Sequence, residues 1–211
     1  EALQAPAIVL SDQFLGQARA VVDRPVDLEV AATRQLAAVD APGYRRYALT
    51  ESGVSPMAIP GTAGIAYTAD GLEHGERGAP SSQAADHFAQ LDKRLRKLEA
   101  WDYGDGWADL EGDPAAPLAI VTFGSCTGPV REALARAAAD GFKARLVSLR
   151  LLAPLPAARL AAALDGVSRV LVIEQNHSAQ LYKYLRGECD LPGKVGSLHR
   201  AGALQFHPDE I

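Results

Sequence analysis

Cysteine is scarce in this 211-residue chain: only Cys126 and Cys189 occur. Two thiols cannot form a disulfide framework in a chain of this size, so both are expected to be reduced and the protein cytoplasmic. Long apolar runs are missing too. No stretch reaches the roughly 18 consecutive apolar residues that would span a membrane. There is no basic patch, and the net charge is −5, which argues against a nucleic-acid partner, since phosphate binding needs clustered Lys and Arg. The six-residue G-x-G-x-x-G fingerprint is absent, so no dinucleotide is expected. Glu73 and His74, with His87 downstream, match no standard metal-ligand spacing, so no metal is expected on this chain.

Apolar residues make up 48% of the sequence, an ordinary globular share. Three textures follow one another. Residues 1–24 hold a short apolar run, "AIVLS" (Ala7–Ser11), predicted as a strand, and "DQFLGQARAVV", predicted as a helix capped by Ser11 or Asp12. One strand and one helix cannot bury a core, so this piece is expected to complete a domain whose remainder lies upstream. The abrupt apolar start and the helix-start signature of the closing "HPDEI" both read as cut ends. The expectation is the C-terminal portion of a longer polypeptide.

Residues 25–117 are rich in Gly, Pro and Asp and are expected to be irregular, with one helix over about Ser82–Trp101. Within it, "LDKRLRKLEA" places Leu91, Leu95 and Leu98 on one face. Its charges are predicted to form a solvated face. Residues 118–211 alternate strands and helices. Strands are predicted near Leu118–Phe123, Lys143–Leu149, Arg169–Ile173 and Lys194–His199. They are apolar throughout, as in a parallel sheet buried on both faces. The predicted class is α/β, a mostly parallel sheet with helices on both faces.

Three stretches carry candidate chemistry. "GSCTG" (Gly124–Gly128) sits between a strand and a helix. It fits a tight structural turn, an anion site at a helix N-terminus formed by Gly124, Ser125 and Gly128, or a nucleophile elbow with Cys126 in place of Ser. In the last case Glu174 and His177 or His199 would complete a Cys-dependent α/β hydrolase triad. Glu174, Gln175 and Asn176 stand at the carboxyl end of a predicted parallel strand, where ligands gather in open α/β sheets. Capping of the next helix or contact with another subunit fits them equally. "DGLEHGERG" (Asp70–Gly78) packs glycines, carboxylates, His74 and Arg77 into one segment. It fits either a surface loop or a mobile active-site loop in which Glu73, His74 and Arg77 meet substrate.

Taken in order, "PAIVLSDQFLGQ", "YRRYALTESGVSPMAIPGT", "DGLEHGERG", "DKRLRKLE", "VTFGSCTGPVREAL", "RLLAPLP", "VLVIEQNHSAQL" and "FHPDEI" resemble the C-terminal part of the α subunit of 2-oxoacid:ferredoxin oxidoreductases, most closely the 2-oxoglutarate type. The resemblance covers nearly the whole chain. One departure is Cys126, where the family turn carries Thr, and this weakens the hydrolase reading. The resemblance implies oxidative decarboxylation of a 2-oxoacid on thiamine diphosphate and Mg²⁺, with electrons passed through a [4Fe–4S] cluster to ferredoxin and the acyl group handed to coenzyme A, or the reverse. It implies a β subunit as partner and a dimer of αβ units. Residues 1–24 would end a thiamine pyrimidine-binding domain. Residues 25–117 would link, and residues 118–211 would resemble the transketolase C-terminal domain. The family's Tyr-Pro-Ile-Thr-Pro-like motif does not occur in the sequence. A non-catalytic assembly module remains an alternative. In the leading reading Gly71–Gly78 is a plug over the thiamine site, with His74 and Arg77 reading the far carboxylate of a dicarboxylic substrate.

Overall fold

The computed structural model describes residues 1–24 and 33–211; the start of the predicted linking segment, 25–32, lies outside the described residues. Two compact units form, one from Glu1–Val9 with Val21–Asp102, the other from Leu10–Ala20 with Tyr103–Ile211.

The second unit is built on a five-stranded sheet. Its strands are β1 (Ala108–Gly112), β2 (Leu118–Phe123), β3 (Arg145–Leu149), β4 (Arg169–Glu174) and β5 (Lys194–His199), in the order β1-β3-β2-β4-β5. β2 to β5 are parallel, while β1 adds antiparallel to β3 at one edge. The sequence had placed β1 in an irregular stretch. "ADLEG" is polar, ends in glycine and is exposed over its last three residues, so it lacks the apolar signature of the buried strands.

Alternate side chains of each central strand feed opposite layers. Ala119 and Val121 of β2 pack with Val170 and Val172 of β4 against Leu160 and Leu164 near α4 (Ala157–Ala163) and Leu181 and Leu185 of α5 (Gln180–Glu188). Ile120 points the other way, joining Val130 of α3 (Thr127–Ala139), Leu146, Ile173 and Phe206. This places helices on both faces and explains why the strands read as continuous apolar runs. A short helix, α1 (Gln13–Gln17), also belongs to this unit, and Asp12 caps it by accepting the Leu15 N–H at 2.8 Å.

Two expectations for residues 1–24 fail. Ala7–Ser11 forms no strand, and Ile8, Val9 and Leu10 are 82–93% exposed. The predicted helix through Val22 stops at Gln17. A helix with no buried residue lacks the tertiary contact that supplies most helical stability, and an apolar run without a ladder partner is not a strand.

The first unit is mostly loop around one long helix, α2 (Ala84–Glu99). Its orientation reverses the sequence expectation. Gln90 and Lys93 are the buried positions, while Phe88, Leu91 and Leu95 are exposed. The loops supply the reason. Their backbone carbonyls have no sheet ladder to satisfy them, and the polar face of α2 provides donors. Gln90 donates to the Tyr47 carbonyl at 3.1 Å, Arg96 to the Thr50 and Glu51 carbonyls at 2.9 and 3.0 Å, and Lys97 to the Gln4 carbonyl at 3.3 Å.

Candidate active-site loop

The Gly71–Gly78 loop is fastened at its base by its own acids. Glu73 accepts two hydrogen bonds from the Arg94 guanidinium, at 2.8 and 3.0 Å, and pairs with His87 Nδ1 at 2.9 Å. The Arg94 hydrogen bonds are the main reason its carboxyl is lowered to about 2. Burial opposes the shift, and the His74 N–H, His87 and the Arg94 charge add to it. His74 is buried. Its ring lies 3.9 Å from the Tyr47 ring, centroid to centroid, and Nδ1 is 3.0 Å from the Gly75 carbonyl. Glu76, not singled out in the sequence, clamps the far side. Its carboxylate accepts the Leu49 N–H at 3.0 Å and pairs with Arg45 at 2.6 Å, while its carbonyl accepts the Tyr47 N–H. At Gly78 φ is +84°, and a Cβ there would collide with the Thr68 carbonyl oxygen, so only glycine closes the turn.

Of the three loop residues predicted to meet substrate, the structure brings Glu73 and His74 together and sets Arg77 apart. Arg77 is exposed and, among the described residues, has no hydrogen-bond or ion-pair partner. It lines an open cleft of about 470 Å³ walled by Tyr44 and Tyr67. Those rings meet edge to face, with centroids 6.4 Å apart, and the Tyr44 hydroxyl is fixed between the Pro56 carbonyl and the Ala58 N–H. The cleft therefore has two aromatic walls, one of them fixed through the Tyr44 hydroxyl, and one guanidinium without a partner among the described residues. The aromatics gave no sequence signal, because they come from segments with no periodic pattern.

In the second unit the strand-end residues are engaged within the fold, and Glu174 alone turns fully inward. Glu174 is fully buried and accepts the Leu181 and Tyr182 N–H groups at 2.8 and 2.9 Å, capping α5. Gln175 donates to the Leu204 carbonyl at 2.9 Å, and Asn176 joins Gln180 and Ser178. The Gly124–Cys126 segment forms a 3₁₀ turn leading into α3. Gly124 has φ +59°, with open space where a Cβ would stand, and Gly128 is equally uncrowded. The Ser125 side chain meets Asp12, and its carbonyl accepts from Gln205 at 3.1 Å.

Cys126 lies within the apolar layer of Ile120, Val130 and Phe206, and burial is the main cause raising its thiol above the ordinary value. The Gln175 backbone and the Thr122 hydroxyl oppose the rise without cancelling it. Glu174 is committed to the N–H groups of α5 and His199 Nδ1 to Ser197 at 3.0 Å, while His177 is exposed, so the Glu–His pairing that a Cys–His–Glu triad needs is not among the contacts of Glu174 or His199. Two cysteines cannot supply four thiolates for a [4Fe–4S] cluster, and among the described residues no three His, Cys, Asp or Glu side chains gather as a metal site. The two cysteines therefore do not fit the cluster, and the described residues offer no ligand set for the Mg²⁺ of a thiamine site. Among the described residues no helix is long and apolar enough to cross a membrane.

Residues 116–211 match the family described as pyruvate:ferredoxin oxidoreductase core domain II. Across 90% of its length the chain is 35% identical to 2-oxoacid:ferredoxin oxidoreductase 2, subunit alpha, of Aeropyrum pernix, covering 30% of that subunit. It aligns along its whole length, at 25% identity, with the 2-oxoglutarate synthase subunit KorA of Methanothermobacter marburgensis, covering 56% of it. A solved structure, the 2-oxoglutarate:ferredoxin oxidoreductase of Magnetococcus marinus with 2-oxoglutarate, coenzyme A and succinyl-CoA bound, superposes over 90% of this chain and 33% of its own, with a TM-score of 0.75 and 34% identity. The chain thus spans about a third of the length of the first of these relatives. The matched sheet domain and the likeness carried through the loop unit place the chain in the 2-oxoacid:ferredoxin oxidoreductase α-subunit family, with residues 116–211 as its core domain II.

Proposed function

We propose that the chain is the C-terminal part of the α subunit of an enzyme that converts 2-oxoglutarate, coenzyme A and two oxidised ferredoxins into succinyl-CoA, CO₂, a proton and two reduced ferredoxins, or runs the reverse. The observation that carries this reading is the 34% identity and TM-score of 0.75 to the 2-oxoglutarate enzyme over 90% of the chain. Thiamine diphosphate, Mg²⁺ and the [4Fe–4S] cluster are assigned to residues outside this chain, on a cysteine-bearing β subunit and upstream segments, in a dimer of αβ units. Within the chain, the Gly71–Gly78 loop is assigned to substrate recognition. Glu73 and His74 are positioning residues that fix its base, and Arg77 is the group left to pair with the substrate's distal carboxylate in bidentate fashion. The exposure of Ile8, Val9 and Leu10 favours a second role as an assembly surface within the same enzyme.

The test uses the full-length α subunit assembled with its partner and measures 2-oxoacid- and CoA-dependent dye reduction. Arg77→Ala is expected to lower kcat/KM for 2-oxoglutarate by about 10- to 100-fold, the ~1.5–3 kcal/mol of a charge-assisted hydrogen bond, with pyruvate turnover little changed. Arg77→Lys should recover part of the loss. Equal losses on both substrates, or none, would remove Arg77 from recognition. A wild-type assembly inactive on every 2-oxoacid would overturn the enzymatic reading itself.

A further inference from the structure

On the inward side of α2 lies a pocket of about 260 Å³ whose lining includes Gln4, Arg46, Ser55, Lys93, Arg94 and Lys97. Four cations meet in it; among the described residues Glu73 is spent on Arg94, and Glu76, whose charge reaches Lys93, is spent on Arg45 and the Leu49 N–H. The other three cations are held by neutral groups. Lys93 donates to the Ser55 hydroxyl, Arg46 to the Gln4 side-chain carbonyl at 3.0 Å, and Lys97 to the Gln4 main-chain carbonyl at 3.3 Å. Among the described residues none of the three forms an ion pair. Buried or half-buried cations normally have an anionic partner, since desolvation is costly and like charges repel.

Two further observations show that the arrangement is built. Lys93 is 6% exposed, so its ammonium faces the pocket instead of reaching bulk water as lysines usually do. Gln4, which holds both Arg46 and Lys97, has a left-handed backbone at φ +46°, a strained state for a non-glycine residue that persists where the surroundings enforce it.

We propose that this pocket is a binding site for a phosphate dianion, either free or as the terminal phosphoryl group of a small metabolite. The choice over a carboxylate follows from geometry. A planar carboxylate is matched by a single guanidinium fork, but here Arg94 already carries Glu73 and Arg46 gives one amino group to Gln4, so the remaining charge comes from three separate side chains. Arg46 reaches in from a loop, while Lys93 and Lys97 approach from successive turns of α2. A tetrahedral group with three acceptor oxygens and a charge near −2 at pH 7 answers such a three-sided set. The volume admits it with a few waters of about 30 Å³ each. The Lys93 ammonium is lowered to about 8 by burial and then by Arg46, Lys97 and Arg94, with the Glu76 charge opposing, so a bound anion would relieve the net repulsion.

The experiment is residue-resolved acylation of lysines in the purified full-length protein in its native assembly, followed by mass spectrometry at constant ionic strength near pH 7.5. The probes are inorganic phosphate, adenosine 5′-monophosphate, succinate and chloride. Phosphate is expected to slow modification of Lys93 and Lys97 by about fivefold or more while leaving the exposed Lys194 unchanged. Arg46→Gln should abolish the protection and Arg46→Lys restore part of it, with circular dichroism confirming that both variants stay folded. Protection by phosphate alone assigns the site to the free anion. Protection by the nucleotide as well assigns it to a terminal phosphoryl group. Equal protection by chloride, stronger protection by succinate, no protection by phosphate, or full protection retained in Arg46→Gln would each overturn the proposal.

Discussion

Lys93, itself 6% exposed, carries its ammonium into the α2 pocket beside three other cations. Burial is the main cause of its lowered value of about 8, against an ordinary 10.5, and the neighbouring charges add to it. Between those two values the unfolded chain holds a proton that the folded chain has released. Stability contributed by this residue therefore rises as pH climbs from about 8 to 10.5. Denaturation of wild type and Lys93→Met compared across that window should show wild type gaining on the variant, by up to about 3 kcal/mol. A difference that stays flat would show that Lys93 titrates normally. The residue was visible in the sequence within a basic run, but its environment was not, because a charged face on an isolated helix pattern reads as solvated. Cys126 shows the converse. Its glycine-flanked setting suggested reactivity, and only the apolar layer around it shows a thiol shielded from solvent.

Among the elements, the turn into α3 separates two glycines that look alike in "GSCTG". Gly124 has positive φ, whereas Gly128 is an uncrowded residue in the first turn of α3. Gly124→Ala is expected to cost about 1 kcal/mol for the left-handed backbone, while Gly128→Ala should be neutral or stabilise by up to about 1 kcal/mol through helix propensity. Thermal denaturation of the two variants distinguishes them, and equal losses would show that the turn, not φ, sets the constraint. The four parallel strands were legible because burial on both faces writes a continuous apolar run. β1 was not, since an antiparallel edge strand with charged residues carries no such signal. Ala7–Ser11 had the signal without the structure, because a strand requires a hydrogen-bonded neighbour that pattern alone does not supply. In the candidate loop the residue types were legible and their division of labour was not. Which side chain is spent internally depends on Arg94, His87 and Tyr47, far away in sequence.

At the scale of the molecule the two units are held by different physics. Ala58 apart, every fully buried apolar side chain among the described residues lies in Tyr103–Ile211. The loop unit depends instead on ion pairs and on side-chain donors from α2. Glu73 is its acid-sensitive member: its folded value of about 2 lies below the ordinary 4.5. The stability it contributes is full above about pH 4.5 and is lost as pH falls towards about 2. Hydrogen–deuterium exchange of the full-length protein should therefore accelerate in 33–102 on acidification through that range before β2, β3 and β4 respond. Simultaneous loss of protection would show one cooperative unit in place of two.

The polar inward face of α2 also bears on temperature. Heat capacity of unfolding comes from apolar surface newly exposed to water and is reduced by polar surface. A unit whose helix buries Gln90 and Lys93 and leaves Phe88, Leu91 and Leu95 in solvent contributes little of it. Its free energy of unfolding then varies gently with temperature, while the sheet unit follows a steeply curved dome. Cooling erodes the sheet unit's hydrophobic stabilisation and leaves the loop unit's hydrogen bonds comparatively untouched.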